Sequence, residues 1–569
     1  MEKRWVLKPA PDQETVSRLA KSLLISDSMA TILCQREVCD YDLARAYFRP
    51  SLDHLHDPFL IKDMDKAVAR LNKAIQQNEK VLIYGDYDVD GTTSVALAYS
   101  FLKDHIATID IYIPNRDTEG YGISKQGVEW AAENGFTLVI SLDCGIKSME
   151  KVAYAKTKGV DFIICDHHLP DTTIPEAVAV LDPKRVDCPY PFKELSGCGV
   201  GFKLMQAFSL QNGLDTSRLF DLLDLVVVSI AADIVPITGE NRILAHYGLK
   251  LLNSGQPLRP GLAALKDLAG IKEEMDINSI VFGFAPRINA AGRMGDAKRS
   301  VHMLLAATKE EAFTKAGIID ETNKERRGHD TSITKEALLM IEQDDVLRTS
   351  RSTVLYKESW HKGVVGIVAS RCIEKYYRPT IILTESNGKA SGSARSVHGF
   401  DVHSAILACS DLLEQFGGHM YAAGLTLKVE NIPAFRERFE QVVSQTITEE
   451  QLIPQIEIDA PLRLKQITPN FHKIIKQMEP FGPGNAAPVF MSECVYDTGS
   501  CRVVGDTHLK LRLEQEDSHP IDAIAFGMGD YYPRIRKGIP FDVCYCVEEN
   551  VFRGISSLQL RIRDIRFAE

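Results

Sequence analysis

Three aspartates alternate in Tyr84-Gly85-Asp86-Tyr87-Asp88-Val89-Asp90-Gly91, directly after the apolar run Val81 to Tyr84. At i, i+2 and i+4 they project to one side if the extended chain continues. Like charges so close together repel, and a divalent cation is the expected compensation. An EF-hand calcium loop is disfavoured, because no acid stands at the twelfth position. Alone, such a triplet is more often a solvated acidic loop, but three further segments add to it. Leu138 to Leu142 ends in Asp143-Cys144-Gly145, Phe162 to Cys165 ends in Asp166-His167-His168, and the long apolar run Leu225 to Ala232 ends in Asp233. Residues just past the carboxyl ends of parallel strands line one crevice. Read as four strand ends, these segments bring carboxylates and imidazoles to the same edge. Oxygen-rich ligation with one or two imidazoles suits Mn2+ or Mg2+. A pair of such ions points to phosphoryl chemistry, since one ionises a water and both stabilise the attacking and leaving oxygens. Neither a G-x-S-x-G nucleophile signature nor a G-x-x-x-x-G-K-[ST] nucleotide loop occurs. Phosphodiester hydrolysis by metal-activated water is the leading reaction class.

The elements that must hold these residues follow from apolar periodicity. Short apolar runs at Val81 to Tyr84, Ile109 to Ile113, Leu138 to Leu142, Phe162 to Cys165 and Val178 to Leu181 alternate with helically spaced segments such as Thr93 to Lys103 and Lys125 to Asn134. This alternation predicts an α/β domain with a doubly wound, mostly parallel sheet. Residues 1–75 ahead of it read as short helices. Lys298 to Asp345, rich in Ala, Glu, Lys and Leu, reads as one or two long connecting helices. A second α/β region has a strand at Thr353 to Tyr356, a helix at Val364 to Tyr377, a strand at Thr380 to Leu383, and then glycine-rich loops. After the linker Pro480-Phe481-Gly482-Pro483-Gly484, about five short strands predict a small β-barrel of the oligonucleotide-binding (OB) kind. The expected boundaries are 1–75, 76–300, 301–348, 349–450 and 451–569.

Composition narrows the class. A net charge of -11 argues against a surface coated in cations for nucleic acid, yet leaves room for a local basic groove. Twelve cysteines without a C-x-x-C pair disfavour a disulfide scaffold, a zinc ribbon and dithiol redox chemistry. Met1 to Thr15 has no apolar core of a signal peptide. The most apolar stretch, Leu219 to Ile237, is broken by Asp221, Asp224 and Asp233, too many charges for a bilayer span. A soluble cytoplasmic protein is expected.

The motifs GDYDVDGTTS (85–94), LDCG (142–145), DHH (166–168), AADIVP (231–236), PRINAAGR (286–293), SGSARS (391–396) and GGHMYAAG (417–424) stand in this order. Together they resemble the DHH phosphoesterase superfamily and, within it, a family of bacterial single-strand-specific exonucleases. The resemblance covers nearly the whole chain. It implies a DHH domain, a DHH-associated domain and an OB barrel, with the active site between the first two. By position it further implies that Asp88 and Asp90 each hold one metal, that Asp143 bridges both, and that His167 and Asp233 complete the second site. Asp86 would be a further ligand or a support through water. His168 would face the scissile phosphate, steadying its charge or moving a proton, and Asp166 would orient an imidazole. Several superfamily members carry a histidine four residues before the second aspartate. Tyr84 stands there in this sequence, which leaves the first metal site poorer in ligands.

The same resemblance implies a pocket for a 5′ phosphate and the first nucleotides, built from Arg116, Arg287, Arg293, Ser393, Arg395 and His419. Guanidinium forks suit phosphate oxygens, although an ordinary salt bridge is the plain alternative for each arginine. Arg395 and Ser393 rank ahead of Arg287. In the barrel, Tyr545, Phe552 and Phe526 are available to stack bases beside Lys510, Arg512, Arg561 and Arg563, against the plainer reading that they fill the interior.

The expected activity is 5′→3′ hydrolysis of single-stranded DNA to 5′-mononucleotides in recombination and repair, by a monomer. Single-strand-binding protein and a RecQ-type helicase are the partners the resemblance implies. The rival is a DHH phosphodiesterase for short oligoribonucleotides or cyclic dinucleotides. Those relatives resemble only the first two domains, so the barrel and PRINAAGR count against it. A non-catalytic scaffold is opposed by the presence of every motif carboxylate and both histidines.

Overall fold

The computed structural model describes residues 2–116, 118–552 and 554–567, the side chain of Phe552 excepted, so that aromatic lies outside the described residues. Contacts divide the chain into two units. One comprises Arg45–Lys324 with Met478–Ala486, the other Met1–Ala44, Glu325–Gln477 and Ala487–Glu569. The segment 1–75 is thus shared between them. It opens with a strand where only helices were expected. Arg4–Leu7 pairs in parallel with Gln455–Ile458, a partner too distant in sequence for four residues to announce.

In the first unit, β1 (Lys80–Gly85), β2 (Ile109–Tyr112), β3 (Phe136–Leu142), β4 (Asp161–Cys165) and β5 (Ala179–Leu181) form a wholly parallel sheet in the order β2-β1-β3-β4-β5. The pleat sends alternate residues to opposite layers. Val81 and Ile83 join one apolar core, Leu82 and Tyr84 the other, so both faces are covered. Strand order reverses between β1 and β3, and such a reversal opens a crevice at the carboxyl ends of those two strands. Helices α1 (Val89–Leu102), α2 (Gly197–Gln211) and α3 (Leu223–Ala232) pack on one another and are buried along most of their length.

Helix α3 corrects the reading of Leu225 to Ala232 as a strand. A helix buried on every side is apolar on every side, and its β-branched residues then mimic a buried strand. Asp233 therefore arrives from a helix C-terminus. Helix α4 (Ala285–Met294) carries PRINAAGR. The 35-residue helix α5 (Lys309–Gln343) runs across the division between the units.

The second unit holds β6 (Thr353–Tyr356), β7 (Thr380–Ser386), β8 (Lys389–Arg395), β9 (Gln415–His419) and β10 (Ala422–Leu427), ordered β9-β10-β8-β7-β6, with helix α6 (Val365–Lys375) after β6. Only β6 and β7 pair in parallel. Farther on, β11 (Phe490–Asp497), β12 (His508–Glu514), β13 (Ile521–Ala525), β14 (Phe541–Phe552) and β15 (Ile555–Phe567) close a ring through β11-β14-β15-β13-β12 and back to β11. Tyr545 is fully buried beside Phe490, with its hydroxyl against that of Ser492, and so fills the barrel. Phe526 is 52% exposed.

Candidate metal centre

Strand β1 ends at Gly85, and the chain turns at once into α1. The Asp88 carboxylate caps that helix by accepting the Gly91 N–H at 3.0 Å. Asp90 lies in its first turn. The acids are therefore gathered by a strand-to-helix turn, and the continued extended chain that their spacing suggested is absent. A Cβ at Gly91 would stand 2.4 Å from the Asp86 carbonyl, so the turn closes only over glycine.

Asp90 is gripped from three sides. It accepts the Gly197 N–H at 2.7 Å, the Cys198 N–H at 2.8 Å and the Ser229 hydroxyl at 2.7 Å. The N-terminus of α2 thus faces a buried carboxylate with its unpaired amides and the positive end of its dipole. Asp143 follows β3 at φ 59°, a left-handed conformation that aspartate tolerates better than most residues. Its N–H extends the ladder to the Cys165 carbonyl at 2.9 Å. Gly197 is needed here too, since a Cβ would come within 2.6 Å of Asp143 Cβ. His167 Nε2 lies 3.1 Å from Asp143 Oδ1, and 3.6 Å from both Asp90 Oδ2 and Asp233 Oδ2. Two overlapping ligand groups result: Asp90, His167 and Asp233, and Asp143, His167 and His168.

The electrostatics are those of a cation site. Asp86, Asp90, Asp143 and His167 are at most 5% exposed. Burial, then the charges of neighbouring aspartates, push the carboxyls of Asp86, Asp88 and Asp143 up, and that of Asp233 up to about 8. Burial lowers the His167 imidazole and so favours its neutral form, the one that ligates metals. Asp86 Oδ2, Asp143 Oδ1 and both ring nitrogens of His167 are buried without a hydrogen-bond partner. Buried polar atoms are rarely left so. Unpaired carboxylate oxygens beside a neutral imidazole fit Mn2+ or Mg2+.

His168 differs from its neighbour. Its Nδ1 sits 2.7 Å from Asp166 Oδ1, and Asp166 also accepts the N–H groups of His167 and Ile146 at 2.7 and 2.9 Å. Burial disfavours the imidazolium, but the Asp166 bond and the charges of Asp233 and Asp90 outweigh it and raise His168 to about 9. Burial is outweighed at Asp166 as well, which His168 holds down to about 2. Asp166 thus orients His168.

Tyr84 gives no ligand. It points into the opposite core layer, stacked on Tyr112, where its hydroxyl donates to the Gly122 carbonyl at 3.1 Å and accepts the Ser124 N–H at 3.0 Å. Three features beside the centre escaped the sequence reading. One is the α2 N-terminus around Gly197, signalled only by Ser196 before a glycine-rich helix. Another is Tyr121, whose hydroxyl reaches His168. The third is Asp182, which follows β5, is fully buried, and is pushed up to about 7 by that burial. The strand-end rule that found Asp143 applies to it equally.

The basic residues separate. Arg116 lies over the Tyr87 ring at 5.3 Å, and the charges of both Arg116 and Arg293 act on Tyr87. Helix α4 comes so close that a Cβ at Gly292 would sit 2.4 Å from the Tyr87 carbonyl, which explains the small residues of PRINAAGR. Arg287 is already engaged. Its three guanidinium nitrogens bond Asp320 at 2.9 Å and the carbonyls of Gly283 and Leu268 at 2.7 and 2.9 Å, so it braces the helices. In the other unit, Arg395 bonds the Ser393 hydroxyl at 2.7 Å and approaches Gly366 at the start of α6. Burial alone lowers its guanidinium, and no carboxylate pairs with it among the described residues. His419, Ala422 and Arg395 occupy one cross-strand row, and Gly417, Gly424 and Ser393 the next row on the same face. Small residues thus lie between and beside a cation and an imidazole on this face.

Carboxylates and an Asp-His-His run converging at the switch point of a parallel sheet define a DHH-type phosphoesterase centre. Family models match in the same sense: the DHH family N-terminal domain over residues 80–230, the DHHA1 domain over 350–445 and the RecJ OB domain over 458–564. The single-stranded-DNA-specific exonuclease RecJ of Bacillus subtilis is 37% identical over all of this chain and 71% of its own length. That of Escherichia coli is 33% identical over 89% and 90%. The structure of RecJ from Thermus thermophilus in complex with Mn2+ superposes with a TM-score of 0.85 at 26% identity, covering 100% of this chain and 80% of that one. Its Mg2+ complex gives a TM-score of 0.79 at 25% identity, over 100% of this chain and 79% of that one. The chain belongs to the RecJ family.

Proposed function

We propose that this chain is a metal-dependent exonuclease that degrades single-stranded DNA from the 5′ end and releases 5′-mononucleotides, in recombination and repair. The observation that carries the reaction is the buried set of unpaired ligand atoms on Asp86, Asp143 and His167. Single-strand specificity is what the named relatives share. Two Mn2+ or Mg2+ ions held by Asp88, Asp90, Asp143, His167 and Asp233, with Asp86 beside them, would supply an ionised water and positive charge for the attacking and leaving oxygens.

The chain's own groups do the rest. Three donors keep Asp90 from swinging. Asp166 fixes His168 through Nδ1, so the Nε2 proton points away from Asp166 and is available to a phosphate oxygen whose charge grows as the bond breaks. Arg395 and Ser393, with His419 along the same row, bind the 5′ phosphate. Arg116 and Arg293 serve phosphates beside Tyr87, and Arg287 takes no part. Phe526, with Arg561 at 5.7 Å from its ring, is the stacking platform of the barrel. A cytoplasmic location accords with twelve free cysteines. A monomer working beside single-strand-binding protein and a RecQ-type helicase belongs to the same reading.

The test uses single-stranded DNA labelled separately at each end, with a 5′ phosphate or a 5′ hydroxyl, in Mn2+, Mg2+ or EDTA. Mononucleotides should appear from the 5′ end, vanish in EDTA and form more slowly without the phosphate. Arg395→Ala should lower the phosphorylated rate about tenfold, the scale of one charge-assisted hydrogen bond, and erase the difference between the two ends. Release from the 3′ end would overturn the polarity. Cleavage of dinucleotides with long DNA left intact would favour the short-oligonucleotide phosphodiesterase.

A further inference from the structure

Three donors grip Asp90, yet among the described residues no hydrogen bond holds the Asp233 carboxylate, and His167 Nε2 stands 3.6 Å from it. What aims it is the backbone on either side. Upstream, the Asp233 N–H closes the last turn of α3 on the Ser229 carbonyl at 2.9 Å. Downstream, Ile234 stands at φ 60° with its side chain 63% exposed. A β-branched residue in that left-handed region is strained, and a side chain so exposed offsets little of the cost by packing. Such strain persists only where the surrounding structure over-determines it.

The restraint comes from the linker Pro480-Phe481-Gly482-Pro483-Gly484. Although it stands between the helix Pro469–Gln477 and β11 in sequence, Met478–Ala486 groups with the unit that holds the metal centre. The Pro483 carbonyl accepts the N–H of Ile237, four residues past Asp233, at 2.7 Å. Gly482 lies so close that a Cβ would stand 2.5 Å from Ile237 Cγ1, and one at Gly484 would stand 3.1 Å from Thr238 Cγ2. The linker is itself pinned. Asn485, 1% exposed, donates to the Met478 and Pro480 carbonyls at 2.9 and 2.8 Å and accepts the Tyr47 hydroxyl at 2.7 Å. Arg242 donates to the carbonyls of Tyr47 and Glu479 at 2.6 and 2.9 Å and lies over the Tyr47 ring at 4.0 Å. Inside the turn, Asn241 donates to the Pro236 carbonyl at 3.0 Å. The segment from Asp233 to Thr238 is thus clamped at both ends, with the strained residue beside the carboxylate.

We infer that the linker 480–485 is a positioning element of the metal centre, resting on the metal-centre reading above. By holding Ile237 it keeps Ile234 in its left-handed conformation, and that conformation aims the Asp233 carboxylate at His167 and the second metal position. Asp233 is the group that touches the ion, and Gly482, Pro483 and Asn485 act through it.

The experiment compares the full chain with Gly482→Ala, with Tyr47→Phe, and with Gly482→Ala combined with Ile234→Gly. In Gly482→Ala the new methyl pushes Ile237 away from Pro483, so hydrogen exchange read by mass spectrometry should quicken across 233–238. Calorimetry should show the Mn2+ Kd raised about tenfold, the lower end for losing a group that orients a ligand. Tyr47→Phe removes only the hydroxyl on Asn485. It should move both readouts the same way by less, and it serves where the methyl at 482 prevents folding. Glycine takes positive φ without strain, so adding Ile234→Gly should return most of the Mn2+ affinity while exchange stays fast. A loss caused by general unfolding would not be restored by that change. Unchanged exchange would show that the linker does not restrain the turn, and unchanged Mn2+ affinity beside faster exchange would reduce the contact to packing. Either result overturns the proposal. Lost affinity that Ile234→Gly fails to restore overturns it as well, by removing the strained turn from the account. Should the unaltered chain bind Mn2+ yet leave DNA intact, the exonuclease reading falls, while the isotherms and the exchange still decide the role of the linker.

Discussion

Asp143 concentrates the conflict between folding and chemistry in one residue. It is buried, left-handed in φ, crowded by Asp90, Asp88 and Asp233, and one of its oxygens accepts no hydrogen bond. Each of these costs stability in the metal-free protein. Asparagine keeps the shape and tolerates the same φ. Asp143→Asn is therefore expected to raise the unfolding midpoint in EDTA, by about 1 kcal/mol, while abolishing metal-dependent hydrolysis. Saturating Mn2+, at a hundred times its Kd, should stabilise the unaltered protein by about 2.7 kcal/mol and the variant far less. A lower midpoint in EDTA would mean that the carboxylate is not strained. Proton linkage follows from the same crowding. The carboxyl of Asp233, raised to about 8, holds a proton below that pH in the metal-free state. Mn2+ must displace it, so apparent affinity should fall as pH falls from about 8, with proton release visible by calorimetry in buffers of different ionisation enthalpy.

Among the elements, the helix Met64–Gln76 is tied to the sheet by charge as well as by apolar packing. Arg70, 8% exposed, bonds Glu79 at 2.7 Å and Asp161, the first residue of β4, at 2.7 Å. Thr137 in β3 donates to the same Glu79 carboxylate. Burial pushes Glu79 up, but Arg70 and Thr137 outweigh it and hold the carboxyl below its usual range. A carboxyl lowered on folding adds stability at pH values above its unfolded value, and that contribution is lost as pH falls below it. Arg70→Ala should cost about 3 kcal/mol at neutral pH, the lower end for a broken buried pair because Asp161 is partly exposed. The difference should shrink on acidification, as chemical unfolding at pH 7 and pH 4 would register. An equal loss at both pH values would assign the effect to packing of the arginine stem.

At the scale of the whole molecule, the proposed function asks a chain of net charge -11 to bind a polyanion, so the contact must be local. The barrel offers Phe526, 52% exposed, in edge-on contact with His508 and beside Arg561. Phe526→Ala should weaken binding of long single strands by about 1–3 kcal/mol and leave its salt dependence unchanged, because stacking releases no counterions. Arg561→Ala should instead flatten the slope of log K against log salt by about 0.7. Anisotropy titrations across salt concentrations separate the two. Unaltered affinity in Phe526→Ala would move the platform elsewhere on the barrel.

Much of this organisation is written in short stretches of sequence. Apolar runs ending in Asp143 and in Asp166-His167-His168 announce parallel strands and what lies past their ends, because a strand and its exit are decided within a dozen residues. The small residues of PRINAAGR likewise announce a close approach, which the structure places at Gly292 against Tyr87. Other assignments depend on contacts between residues far apart in the chain, and no local pattern encodes them. An apolar run serves equally as a buried strand or a buried helix until its neighbours are known, and Leu225 to Ala232 became α3 because helices surround it. Arg287 looked like its neighbour Arg293 until Asp320 engaged it, and Tyr545 looked like Phe526 until barrel closure put one inside and the other out. Residue type and spacing determined which chemistry this protein is equipped for. Tertiary structure decided which of the equipped residues are free to perform it, because burial and hydrogen-bond partners are shared with distant segments.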